Sequence, residues 1–281
     1  MQTTPVVVNG VRSPVMQVGP LESDEAVVFV HGNPGPGDDW TDLMVRVGKF
    51  ARAVAPDMPG YGAADKPPHF DYTIAGYAIH LAGLLDQLGI RRAHLVAHDF
   101  GGAWALTWGV HHPQAFASAT LINTGVPPGY RWHIFARMWR TPVVGELLQA
   151  TASRPVFRIL LHRGNPRLTR KQIDRIYDAA KPWGTKRAVL KLYRATPERM
   201  LRANFDQLRA LDRPALVVWG TADAYLPMSA ATSQRDAFPS ARIEFLEGAG
   251  HWVFLEEPER VASLVVPFLR EQVKHPRATT R

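Results

Sequence analysis

The run Leu95-Val96-Ala97-His98-Asp99-Phe100-Gly101-Gly102 constrains the fold of this chain more than any other. An apolar stretch stops at a polar residue and restarts at a glycine pair, which predicts a strand, a sharp turn and a helix. The motif usually written G-x-S-x-G has this form, and its central residue is lifted above the end of a sheet. Here Asp99 holds the centre and Ala97 replaces the first glycine. Ala97 is small enough for such a turn, and Gly101 and Gly102 relieve crowding behind it. A carboxylate that attacks carbon forms an ester. That suits saturated carbon, as in opening an epoxide or displacing a halide. It does not suit ordinary esters, where the product would be an anhydride.

The rest of the chain agrees with a sheet around that turn. Val6–Val8, Val15–Val18 and Ala26–Val30 read as strands separated by Gly, Pro and acidic residues. Ala51–Ala55, His94–His98, Ala117–Ile122, Leu216–Trp219 and Arg242–Leu246 read as five more. Helical spacing is expected over Trp40–Phe50, Ala75–Leu88, Gly101–Val110 and about Glu257 to Val273. Three leading strands followed by strand–helix alternation predict an α/β fold: a mostly parallel eight-stranded sheet with helices on both faces. Residues 126–206 break the alternation and read as a helical insertion, a cap. The core is then 1–125 with 207–274, and 275–281 is a disordered tail.

Three further segments supply what Asp99 needs. His251, in Gly248-Ala249-Gly250-His251-Trp252, follows the last strand and can activate water. Asp223, in Trp219-Gly220-Thr221-Ala222-Asp223, follows the preceding strand and can orient that histidine. The chain order is nucleophile, acid, histidine. The loop His31-Gly32-Asn33-Pro34-Gly35 can present a backbone amide at Asn33, and Phe100 supplies a second, to hold the oxyanion formed when water attacks the ester.

These motifs resemble the α/β-hydrolase fold family, within it the branch of epoxide hydrolases and haloalkane dehalogenases. The likeness spans nearly the whole chain and is weakest in residues 126–206. It implies a two-step reaction without cofactor or metal. Asp99 forms an alkyl ester, and water activated by His251, held by Asp223, hydrolyses it. It also implies a cis peptide before Pro34. Some relatives carry the acid after an earlier strand. That place falls at Asn123, which cannot serve, so Asp223 keeps the assignment. Epoxide hydrolases protonate the ring oxygen from cap tyrosines, and Tyr193 matches one such position, 30 residues before Asp223. A second is expected near Val143–Leu147, where no tyrosine stands. Tyr130, Tyr177 and His162 are the substitutes. The dehalogenases typically place Trp after the nucleophile, so Phe100 favours the epoxide reading, while Asn33, whose amide suits halide, favours the other. Fluoroacetate dehalogenases place arginines just after the nucleophile, which Phe100 and Ala103 do not match.

Composition sets the limits. With 281 residues, 46% of them hydrophobic, the chain can bury a large core. It has no cysteine, so thiol and disulfide chemistry are excluded. No signal peptide is recognisable, and no apolar run approaches the about 18 residues of a membrane span. A cytoplasmic location is expected. Net charge is +8, but residues 126–206 hold 17 Lys/Arg against 5 Asp/Glu, leaving 16 against 20 elsewhere. That excess suits an anionic substrate, carrier or surface. The plainer reading, a solvated face over several helices, is preferred. No nucleic-acid motif accompanies it. Trp132, Trp139, Trp183, Phe135 and Phe157 are read mainly as core, with pocket lining the alternative. The resulting expectation is an epoxide hydrolase for a small apolar or amphipathic epoxide, with or without an anionic group. A haloalkane dehalogenase is the runner-up, and a non-catalytic small-molecule-binding protein of the same fold is a third reading. Substrate identity and oligomeric state stay open.

Overall fold

Near-continuous apolar runs become strands buried on both sides. Ala26–Val30 and Ala93–Ala97 are fully enclosed, which is the pattern of parallel strands covered by helices on both faces. The computed structural model describes residues 1–125, 131–202 and 204–273. The strands are β1 (Gln2–Val8), β2 (Val11–Val18), β3 (Glu25–Val30), β4 (Arg52–Pro56), β5 (Arg92–His98), β6 (Phe116–Ile122), β7 (Ala215–Gly220) and β8 (Arg242–Leu246). They form one eight-stranded sheet in the order β1-β2-β4-β3-β5-β6-β7-β8. β2 pairs antiparallel with β1 and β4, and all the other neighbours are parallel.

Helices α1 (Thr41–Val47), α2 (Ile74–Gln87) and α3 (Phe100–His111) follow β3, β4 and β5. Between β6 and β7 lie α4 (Ile134–Arg140), α5 (Val144–Thr151), α6 (Arg154–Gly164), α7 (Arg170–Ala180), α8 (Trp183–Ala195) and α9 (Phe205–Leu211). The short α10 (Met228–Thr232), α11 (Gln234–Ala237) and α12 (Val253–Glu256) precede the closing α13 (Pro258–Val273). One face of the sheet packs α2 and α3 through Tyr77, Leu81, Leu84 and Trp104. The other packs α1 and α13 through Leu43, Met44, Val265 and Leu269. Full burial of each such side chain contributes about 1.5–3 kcal/mol, before the entropy it must offset.

Two expectations change. The helix expected over Trp40–Phe50 is a 3-10 turn, Gly37–Trp40, followed by the shorter α1. Gly48 caps it, and a side chain there would meet Val18 Cγ2 at 2.8 Å. β1 and β2 also begin earlier than the apolar pattern: polar Gln2 and Thr3 still pair with Gln17 and Met16, and β2 starts at Val11 rather than Val15, so that Arg12 and Ser13 pair with Val7 and Val6. The expected tail 275–281 and Tyr130 lie outside the described residues. Among the described residues, no helix is long and apolar enough to cross a membrane.

The strand order fixes where a site can form. The chain leaves β3 toward β4 on one side, then returns to β5 on the other. The carboxyl ends of β3 and β5 therefore flank a crevice, the usual ligand position in such sheets.

Candidate active site

Asp99 stands between β5 and α3 with φ 50° and ψ −130°. This left-handed backbone lifts the side chain out of the sheet, and the neighbours must give way. A Cβ on Gly101 would lie 2.3 Å from Val30 O, and one on Gly32 would lie 2.4 Å from Asp99 Cβ. The Thr124 hydroxyl donates to Asp99 O and ties the turn to the end of β6.

The loop after β3 meets the carboxylate from the opposite side. Asn33 N–H donates to Asp99 Oδ1 at 2.7 Å. The Asn33–Pro34 peptide is cis, as expected. His31 shapes this loop: its Nδ1 donates to Gly32 O at 2.9 Å, and its Nε2 accepts from Met58 N–H at 2.9 Å. Burial pushes the His31 pKa down, against nearby carboxylates, so the ring is a neutral brace. Of the two amides expected to hold an oxyanion, that of Asn33 is already bonded to the carboxylate. The amide of Phe100 opens α3, where the helix dipole also favours negative charge.

His251 lies beyond β8 with Nε2 3.6 Å from Asp99 Oδ2. Its Nδ1 donates to Asp223 Oδ2 at 2.7 Å. Asp223 Oδ1 accepts from Tyr225 N–H at 2.7 Å and Leu226 N–H at 3.0 Å. Asn123 Nδ2 donates to Asp223 Oδ2 at 2.6 Å, so the two alternative acid positions meet at one point. Sequence reasoning gave Asn123 no role. Its side chain also accepts from Gly220 N–H at 3.1 Å, linking β6 to β7. His98 Nε2 donates to His251 O at 3.0 Å.

Burial opposes charge on all three central groups, but their mutual attraction prevails. It holds Asp99 and Asp223 below the usual carboxylate range. It lifts His251 to about 10, through Asp223 first and then Asp99. The resting centre is thus an imidazolium between two carboxylates.

A mostly apolar cavity lies over Asp99, with Trp132, Trp139, Phe157 and Tyr193 from the segment between β6 and β7 on its wall. Trp132 belongs to the buried core, as expected, and Trp139 and Phe157 pack against it, while all three also line the cavity. Trp183 is exposed, at 68% of its surface. The Tyr193 hydroxyl accepts from Asn33 Nδ2 at 3.4 Å and so stands close to the carboxylate. Of the substitutes for a second donor, Tyr177 and His162 lie elsewhere. Tyr177 donates to Ala152 O at 3.3 Å and packs on Phe157, outside the cavity lining. His162 is exposed on α6.

The cavity instead contains His133, which sequence reasoning missed. It caps α4, with Nδ1 accepting from Ala136 N–H at 3.2 Å, so Nε2 carries the proton. Burial pushes its pKa down to about 4, keeping the ring neutral. Its ring lies 6.2 Å from that of Tyr193 and 5.1 Å from that of Tyr225. Among the described residues, no group of three His, Cys, Asp or Glu side chains could hold a metal ion.

Comparison with known proteins gives relatives of mixed activity. The chain is 28% identical over 253 residues to the 2-hydroxymuconate semialdehyde hydrolase of Pseudomonas sp. (strain CF600), covering 87% of each. It is 26% identical over 284 residues to Epoxide hydrolase 1 of Caenorhabditis elegans, covering 93% of this chain and 68% of that one. A solved structure, a haloalkane dehalogenase DbeA-M1 loop variant from Bradyrhizobium elkanii, superposes with a TM-score of 0.84 at 23% identity over 97% of this chain and 98% of that one. At that identity the likeness shows the fold alone. The family model described as alpha/beta hydrolase fold matches residues 25–258. With most of the chain matched and the sheet order observed, the chain belongs to the alpha/beta hydrolase fold family.

Proposed function

We propose that this hydrolase opens an epoxide to a vicinal diol through an ester on Asp99. The observation that carries the reading is the Asp99 carboxylate itself, with Oδ1 held by Asn33 N–H, Oδ2 facing His251, and two proton donors on the cavity wall. Asp99 Oδ2 attacks a ring carbon while the carbon–oxygen bond breaks. The ring oxygen takes the Tyr193 proton, and His133 Nε2–H is the second donor to it. Alkylation neutralises Asp99 and removes one of the two anions that hold the imidazolium. His251 then returns a proton to the tyrosinate and becomes a base.

In the second step the ring takes a proton from water as the hydroxyl adds to Asp99 Cγ. The carbonyl oxygen, Oδ1, becomes the oxyanion opposite Asn33 N–H. Collapse expels the product alkoxide, which leaves with the carboxyl proton. Carboxylate, imidazolium and tyrosine are all restored.

Hydrolysis of a carbon–carbon or ordinary ester bond through an acyl-enzyme is disfavoured, because a carboxylate nucleophile would form an anhydride. One observation favours a second reading. Asn33 presents a side-chain amide at the cavity beside Asp99, which suits a departing halide. The test is a panel of terminal and internal epoxides and of haloalkanes, with diol and free halide both measured. Diol without halide is expected. Halide release with no diol would replace the reading by dehalogenation, and tight binding without any turnover would replace it by a binding protein.

A further inference from the structure

We infer that Asn165 is a positioning residue for His251, held by the cavity-lining helix and acting on the ester-hydrolysis step alone. The inference rests on the reading above. Asn165 follows α6 directly and is fully buried. Its Oδ1 accepts from the His251 backbone N–H at 2.8 Å. Its Nδ2 donates to Leu161 O at 3.1 Å.

Those two bonds connect the substrate space to the base. Leu161 and Phe157, both on α6, line the cavity, and the Tyr225 ring abuts that of His251 at 5.0 Å. The same contact accounts for Gly250, since a Cβ there would lie 2.6 Å from Asn165 Oδ1. The imidazole is therefore aimed from both ends. Asp223 fixes Nδ1 from the sheet, while Asn165 fixes the main chain from α6. Asp99 and its Asn33 contact lie on other elements and involve neither group. Removing Asn165 should leave attack on the epoxide intact and misalign only the base.

In a two-step reaction a slower second step lowers kcat and KM by one factor and leaves kcat/KM unchanged. Asn165→Ala should lower kcat about tenfold or more, toward the roughly hundredfold loss that a misplacement of about 1 Å brings. KM should fall in step, and the Asp99 ester should accumulate during turnover, as seen by intact-protein mass. Asn165→Ser keeps a polar acceptor, one bond short of the amide oxygen, so a drop of the same kind and no larger is expected, and it serves if the alanine variant does not fold. A loss of kcat at constant KM, or no change in either folded variant, would overturn the role given to Asn165. If the wild-type protein opens no epoxide, the functional reading fails instead, and the two failures are told apart by the wild-type product alone.

Discussion

Replacing Asp99 by asparagine should lower the pKa of His251 by about one to three pH units, even with no substrate present. The perturbation keeps shape and removes one anion. That anion lies 3.6 Å from Nε2. Coulomb's law at that separation, with an effective dielectric of about 20, gives about 4–5 kcal/mol, or about three pH units as a ceiling. Water at the cavity and relaxation around the pair reduce it. Asp223 remains, so the variant pKa should still exceed the usual histidine value. The assay is an NMR titration of labelled imidazole nitrogens, with the signal assigned by its loss in His251→Gln. The result matters because esterification removes the same charge. If His251 titrates alike in wild type and Asp99→Asn, forming the ester cannot release the base, and the order of proton transfers given above is wrong.

Other perturbations have separate expectations. Asp99→Ala should abolish turnover without loss of folding, since it removes the proposed nucleophile and no packed core group. Tyr193→Phe should slow ester formation roughly tenfold to a thousandfold, in line with general-acid contributions of about 10²–10⁴, and single-turnover kinetics would show it. His133→Phe, which keeps the ring but removes the donor, should act on the same step, and an unchanged rate would remove His133 from the site. Asp223→Asn should cost about a thousandfold or more in kcat, because the amide can no longer stabilise the imidazolium or fix its tautomer. Asp39 is held up at about 7 by burial, despite Arg175. The fold therefore holds its proton more tightly than the unfolded chain, and this group costs stability progressively as pH rises from about 4 to about 7. Asp39→Asn should melt higher than wild type at about pH 8 and equally near pH 3. The opposite order at high pH would contradict the burial argument.

Local features were legible in the sequence, and convergence across the chain was not. The strands were readable because strands covered on both faces are unbroken apolar runs, as in Ala26–Val30. Asp99 was readable because a turn this sharp requires small residues at fixed offsets, here Ala97, Gly101 and Gly102. His251 and Asp223 followed from the loops that leave successive strands. His133 was not readable. It sits among aromatic and basic residues with no periodicity to say which side meets the cavity, and its signal, capping α4, needs the helix start to be known. Asn123 and Asn165 were illegible as partners because they bond to residues 100 and 86 positions away. Nothing local to either amide identifies such a contact. The aromatic residues of the β6–β7 helices divide between cavity and solvent by packing alone. Trp139 and Trp183 look alike in sequence, yet one lines the cavity and the other is exposed.

The central claim is that Asp99 becomes covalently esterified by the whole epoxide. The direct measurement is the intact mass of His251→Gln after exposure to an epoxide that the wild-type protein opens. Without the base, the ester should form and persist. An epoxide opens without losing an atom, so the predicted product is protein plus one entire substrate, with the added mass on the peptide that carries Asp99. A haloalkane adduct would instead be lighter than the sum by one hydrogen halide. Persistent unmodified protein with active epoxides, or an adduct formed from haloalkanes alone, would contradict the account.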